Sequence, residues 1–336
     1  MNFIQRYFKA AFAIVLLIGF GWYFVNELQT HKDDLYVVLE DSYNLIPHLV
    51  GVVVFMIIAI LIRAIRWQIM LGKNHLLGSC FRSVAIGYLI QVPLSKFGEI
   101  VRVTNQKKNS NCSLGEILST IFIDRILDVA SLLILLIFLM YYSGEVVADR
   151  LPELQSIFPK LMFFFAIAFI ALLLLFFAGG FLKDIIAKLP LLPAKVKQSF
   201  ISLIDKMQEG TRFIKSFKRM IFLFISTLAI WVSYFICFYL AVAFYPQVSH
   251  DVNIQDILFV FTVGTVGVLV PVPGGLAYPL FVQRSLMIVS SVSEAEAIGI
   301  ATVVYLVNFW IANLICGGGS FLWQAIFPYR PMAEEK

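Results

Sequence analysis

Charge is what this sequence has least of. Of its 336 residues only 14% are Asp, Glu, Lys or Arg, against roughly 25% in an ordinary soluble domain. A surface with so little charge cannot be that of a water-soluble protein of this length, and the 60% hydrophobic content places the chain in the membrane class. Cysteine is scarce as well. Cys80, Cys112, Cys237 and Cys316 lie far apart and make no CxxC pair, which argues against a metal site or a disulfide framework. There is no HExxH, and no carboxylates are clustered in the way that holds magnesium; no cofactor and no catalytic residue are expected.

Long apolar runs are what the chain does have. A crossing needs about 20 mostly apolar residues, and six segments meet that length: about 8–26, 46–66, 113–142, 158–180, 219–245 and 295–326. The first follows Arg6 and Lys9 in the manner of a signal peptide. Asn26 to Thr30 offers no small-residue cleavage site, so it reads as an uncleaved helix. Two further apolar stretches, 79–104 and 254–292, are interrupted by Pro93 and by Pro271-Val272-Pro273-Gly274-Gly275. Proline removes a backbone donor and glycine frees the dihedrals, so neither stretch is one continuous helix. Broken backbone at membrane depth survives only against protein or a water-filled cavity.

Charge placement predicts the topology. If both broken stretches return to the side they came from, the N-terminal end, 62–112, 181–219 and the C-terminal tail share one face and hold 21 of the 26 Lys and Arg residues. The opposite loops hold only Lys32 and Arg150, with acids such as Asp33, Asp34, Glu145 and Asp251. Basic loops stay cytoplasmic. The expectation is a multi-pass protein of the bacterial inner membrane with both termini inside. It forms a single all-α domain over 1–336, with about six full crossings and two re-entrant broken hairpins. Each hairpin precedes a long helix, the outline of an inverted repeat. The loop 181–218 is basic. It reads as a cytoplasmic connector or, through Phe200, Ile204, Phe213 and Phe217, as an amphipathic surface helix.

Four groups of residues carry chemical information. Asp124, Arg125 and Asp128 sit about 16 Å into their helix at 1.5 Å per residue, near the bilayer midplane. Charges there face a cavity or each other, so the group is an internal ion pair, Arg125 with Asp128, or part of a substrate or proton pathway. Arg63 and Arg66 share a face beside Trp67, a residue suited to the interface belt. Guanidinium forks suit phosphate, while positive-inside anchoring explains the same pair without a ligand. Lys96, Glu99 and Arg102 flank the first hairpin break at Pro93 and Gly98, where Glu99 and Arg102 are three apart on the returning limb. Pro271, Pro273, Gly274 and Gly275 make the second break. Free amides there, and the N-terminus of a helix starting at Leu276, would face an anion.

In that order and spacing, Arg63/Arg66-Trp67, Pro93 with Gly98-Glu99 and Arg102, Arg125 with Asp128, and Pro271-Val272-Pro273-Gly274-Gly275 resemble the flippase-like transmembrane domain of lysylphosphatidylglycerol synthases. That domain also occurs alone in bacterial and archaeal membrane proteins. The resemblance covers nearly the whole chain. It implies re-entrant helices and movement of an anionic lipid or lipid-linked headgroup, captured by Arg63, Arg66, Lys96, Glu99 and Arg102 and passed along Asp124, Arg125 and Asp128. This sequence departs from the family pattern in four places. Lys96 stands where Arg is usual, and Asp124 where Glu is usual. No acid follows Gly275 within Ala277-Tyr278-Pro279-Leu280-Phe281, and Tyr305-Leu306-Val307-Asn308 lacks the Arg common in the last helix. The two last losses would be linked if acid and Arg normally pair. No aminoacyl-transferring domain is expected, so lysyl-lipid synthesis is not. The alternatives are a membrane transferase on a polyprenyl-linked substrate and a non-transporting partner of another envelope protein. Membrane lipids are the expected partners and nucleic acid is not; self-association stays open.

Overall fold

The computed structural model describes residues 38, 40–72, 76–93, 97–110, 112–142, 179–188, 217–249, 252–270, 272 and 275–326, with scattered positions between 159 and 205. The expected helix at 8–26, Lys96, Pro271, Pro273, Gly274 and most of both 158–180 and the loop 181–218 lie outside the described residues.

All regular structure among the described residues is helical. The apolar run from Ile46 carries α1 (Ile46–Leu71), which ends where Gly72 adopts φ 108°. After α2 (Leu77–Gln91), α3 (Phe97–Lys108) and α4 (Leu114–Tyr142) come α5 (Gly179–Lys188), α6 (Phe217–Val242) and the single turn α7 (Pro246–Ser249). Then follow α8 (Ile254–Leu269), α9 (Ala277–Val289) and α10 (Glu294–Tyr305). The last helix continues through two π-helical segments, Leu306–Ile311 and Leu314–Gly318, into α11 (Gly319–Ile326). By length and composition Ile46–Leu71, Phe217–Val242 and Glu294–Gln324 can cross a membrane. At 29 residues α4 is long enough too, but it carries Glu116, Asp124, Arg125 and Asp128. The helix α5 runs across the expected boundary between a crossing and the basic loop, with Lys183 and Lys188 on it.

The outer surfaces of α1 and α6 suit lipid. Val50, Val54, Ile58 and Leu61 form an exposed stripe at helical spacing on α1, as do Phe224, Ile225, Leu228 and Val232 on α6. Their opposite faces pack on each other and on a core that includes Phe238, Phe259, Leu286 and Val304.

The two interrupted stretches are helical hairpins. The limbs α2 and α3 pack together, as do α8 and α9, and each is shorter than the about 20 residues of a crossing. The first hairpin is closed by two glycines. A Cβ on Gly98 would collide with the Gly87 carbonyl oxygen and lie 2.7 Å from Gln91 Cβ. The second opens with a capping box, in which the Asn253 side chain accepts from the amides of Gln255 and Asp256 while Asp256 accepts from the Asn253 amide. It turns through extended Val270 and through Gly275, whose φ of 67° is a left-handed value that glycine adopts without strain.

The hairpins lean on each other's halves. The helix α2 packs against the segment 314–318, where a Cβ on Gly317 would sit 2.6 Å from the Ala85 carbonyl oxygen. The helix α8 packs against α4. Each hairpin's first limb therefore rests on the long helix that follows the other hairpin.

Candidate functional site

Three helices bring the charged residues of the first half together. On α1, Arg63 and Arg66 are three apart and share the buried face. On α4, Asp124 and Asp128 are four apart and share another. The returning limb α3 adds Arg102 and Glu99. Asp124 is fully buried and receives three guanidinium groups: Arg66 Nη2 at 2.9 Å, Arg102 Nη1 at 3.0 Å and Arg63 Nη1 at 3.4 Å. Asp128 takes Arg63 through both Nη atoms, each at 3.2 Å, and Arg125 Nη1 at 3.3 Å. Glu99 Oε1 is ion-paired with Arg125, 2.7 Å from its Nε. Four arginines against three carboxylates leave one formal positive charge.

Buried guanidinium groups need more than ionic partners. Arg66 Nη1 donates to Thr227 Oγ1 on α6 at 2.6 Å. The Arg102 guanidinium lies over the Trp67 ring, 4.0 Å from its centroid, a cation–π contact. Trp67 was expected at the membrane interface. It is instead wholly buried, its indole N–H donating to Thr120 Oγ1 at 2.8 Å. Glu99 and Arg102, neighbours on one helix face by spacing, pair with different residues of α4, because α4 lies against that limb and offers both signs of charge.

A cavity of about 320 Å³ opens between the tips of the two hairpins. From the first it takes Tyr88, Gln91 and Val92; from the second Thr265, Val268, Leu269, Val272, Gly275 and Tyr278. Helix α6 adds Trp231 and Tyr234, and the π-distorted helix adds Asn308, Phe309 and Asn313. Among the described residues its only charged lining side chains are Arg63, Arg125 and Asp128; the remainder is largely aromatic and aliphatic. A narrow cleft of about 10 Å³ shares Tyr88, Gln91 and Arg125 with it and reaches Gly98, Glu99 and Arg102.

The arrangement divides the sequence candidates by position. Arg63, Arg125 and Asp128 are on the cavity wall, with Gly275 at the second hairpin break. Glu99 and Arg102 are on the side cleft. Arg66 and Asp124 line neither space and tie α1, α3, α4 and α6 together. Pro93 directly follows the cavity residue Val92. Among the described residues, no group of three His, Cys, Asp or Glu side chains is placed to share a metal ion. Sequence reasoning passed over Gln91, Trp231 and Asn313. The signal for Asn313 was present: it and Asn308 are the two amides in the apolar run 306–316, and an amide at membrane depth is costly unless it has a task.

The family described as the lysylphosphatidylglycerol synthase TM region matches residues 10–316. The chain belongs to this family. It is a multi-pass membrane protein, and it is also similar to the UPF0104 membrane protein PH1989 of Pyrococcus horikoshii. That likeness is 24% identical over 279 residues, 77% of this chain and 82% of the archaeal one. No solved structure matches it.

Proposed function

We propose that this family member moves an anionic phospholipid or a lipid-linked phosphate headgroup across the membrane. The observation that carries the reading is the make-up of the cavity between the hairpin tips. It is apolar over most of its wall, as an acyl or prenyl chain needs. Among the described residues it is ionic only where Arg63, Arg125 and Asp128 meet. Arg63 and Arg125 both line the cavity and the Arg125 side chain is 37% exposed, so a phosphate oxygen there would meet guanidinium groups. The positive end of α9 adds to the same field, since Gly275 and Tyr278 at its start line the cavity.

On this reading the hairpins are re-entrant and enter from opposite sides, within an inverted repeat of six crossings with both termini in the cytoplasm. The short limbs, the crossed packing of each hairpin on the other half's long helix, and the one-sided distribution of Lys and Arg support it. Arg63 and Arg125 hold the headgroup while the tail stays among aliphatic side chains. Asp128 holds the two cations together when no headgroup is bound. The chemistry is transport, without a covalent step.

Proteoliposomes holding the purified protein and a fluorescent phosphatidylglycerol provide the test, read by dithionite quenching of the outer leaflet. Wild type is expected to exchange lipid between leaflets with no other protein present. Arg63→Gln is expected to slow the exchange at least about tenfold, and Lys108→Ala, on an exposed part of α3, to leave it unchanged. Unaltered exchange in Arg63→Gln would remove the proposed site. No exchange by the pure protein would favour a partner role instead.

A further inference from the structure

The part of the cavity wall built by α8, α9 and the last helix carries no charge. It carries Thr265, Tyr278, Asn308 and Asn313. Two of these are displayed by a distortion of the helix. Asn308 and Asn313 are five residues apart, and in an α-helix of 3.6 residues per turn they would point about 140° apart. Here the helix is π-helical at 306–311 and 314–318, and the Ala312 N–H reaches back five residues to the Val307 carbonyl. The wider turn brings both amides onto the cavity side. Such π turns are rare and concentrate at functional sites.

The amides on this wall are buried, Asn308 at 8% and Asn313 at 5% exposure. Asn308 is hydrogen-bonded to Tyr278. Asn313 donates to the Phe309 carbonyl at 2.8 Å, but its side-chain oxygen has no partner. The Trp231 indole N–H, also on the cavity, has none either. Buried polar atoms are nearly always satisfied, so an unmatched acceptor and an unmatched donor, each just beneath the surface on a side chain that lines the same cavity, mark places for ligand atoms once those side chains turn toward it. A hydroxyl both gives and takes a hydrogen bond, and so suits both. Carbon-bound hydrogens of a polyol or sugar would lie on the faces of Trp231, Tyr278 and Phe309. Among the described residues an amine would find no carboxylate on this wall, and the one on the cavity, Asp128, is already held by Arg63 and Arg125.

We propose that the neutral wall is a subsite for hydroxyl groups: the ligand is a lipid phosphodiester whose headgroup is a polyol or a sugar, not an amine. The inference rests on the lipid-binding reading and assigns the headgroup class. Titration calorimetry on the purified protein tests it, using dihexanoyl phosphatidylmethanol, phosphatidylglycerol, phosphatidylinositol and phosphatidylethanolamine. Phosphatidylmethanol presents the phosphodiester with no hydroxyl. Wild type is expected to bind phosphatidylglycerol or phosphatidylinositol at least about tenfold more tightly than phosphatidylmethanol. Preference for phosphatidylinositol assigns a ring, and equality a short polyol. Asn308→Leu and Asn313→Leu are expected to abolish the preference while leaving phosphatidylmethanol binding as in wild type. Asn313→Gln, which keeps the amide, is expected to retain part of it. Arg63→Gln is expected to weaken all the phosphodiesters alike. Equal wild-type binding of phosphatidylmethanol and the hydroxylated lipids, or tightest binding of phosphatidylethanolamine, would overturn the inference and leave the anionic-lipid or general lipid site standing. Binding of none of the four would overturn both readings.

Discussion

Replacing Asp124 by Asn should be among the most damaging single changes available in the first half of this protein. The carboxylate is wholly buried and is the shared partner of Arg63, Arg66 and Arg102, at 3.4, 2.9 and 3.0 Å. Asn keeps the shape but removes the negative charge, and its amide N–H group would face a guanidinium. The local balance moves from one formal positive charge to two. Breaking a buried pair in this way costs roughly 3–5 kcal/mol. With about 2–4 °C of melting temperature per kcal/mol for chains of a few hundred residues, the purified variant should melt on the order of 10 °C lower in detergent. Adding Arg66→Met restores the wild-type balance, and Thr227 retains its own bond to the Leu223 carbonyl, so the double variant should regain a good part of the loss. Asp128→Asn provides the contrast. Its side chain is 18% exposed on the cavity, and its partners Arg63 and Arg125 keep Asp124 and Glu99, so the expected loss is no more than about half as large. The reasoning is refuted if Asp124→Asn melts within about 2 °C of wild type, or if the double variant melts below the single one.

Two further outcomes follow from packing and topology. Gly98→Ala should destabilise the first hairpin, because the new methyl meets the backbone of Gly87 and Gln91; Gly78→Ala, with open space around it, should be neutral. A drop of several degrees in melting temperature for the first variant alone is the check. In a cysteine-free background, Lys108→Cys should be labelled by a membrane-impermeant maleimide only after the cells are opened. Labelling in intact cells would reverse the proposed orientation.

The long crossings were legible in the sequence because an apolar run needs no partner to declare itself. The bounds predicted at 46–66 and 219–245 are found at Ile46–Leu71 and Phe217–Val242, with differences of a few residues where apolar helix passes into interfacial residues. The hairpins were legible from Pro93 and from the Pro-Gly run at 271–275. The charged residues could be recognised as costly, but their pairing could not. Spacing reveals partners three or four apart on one helix, which found Arg125 with Asp128. Arg63 and Asp124 are 61 positions apart, and nothing local links them. Trp67 was placed at the interface because indole favours that depth; the stacked Arg102 and the Thr120 hydroxyl gave it a buried home instead. The π turns were invisible, since nothing in the apolar run 306–316 distinguishes a π turn from an α turn and the wider turn answers to tertiary demands.

The crossed contact between the first hairpin and the last helix bears on how the protein is made. The Asn105 side chain receives its hydrogen bond from Gln324, 219 residues further along, and Gly317 closes backbone to backbone on Ala85. The groove of α2 that accepts Gly317 is therefore inserted long before its cover has been synthesised. During that interval Asn105, which with Ser83 and Gln106 forms the polar seam between α2 and α3, is without its final neighbour. An insertase or a membrane chaperone that shields polar helix faces is the natural stand-in. A nascent chain halted before residue 317 would then be a substrate for membrane proteolysis, even with α1, α4 and α6 already in place.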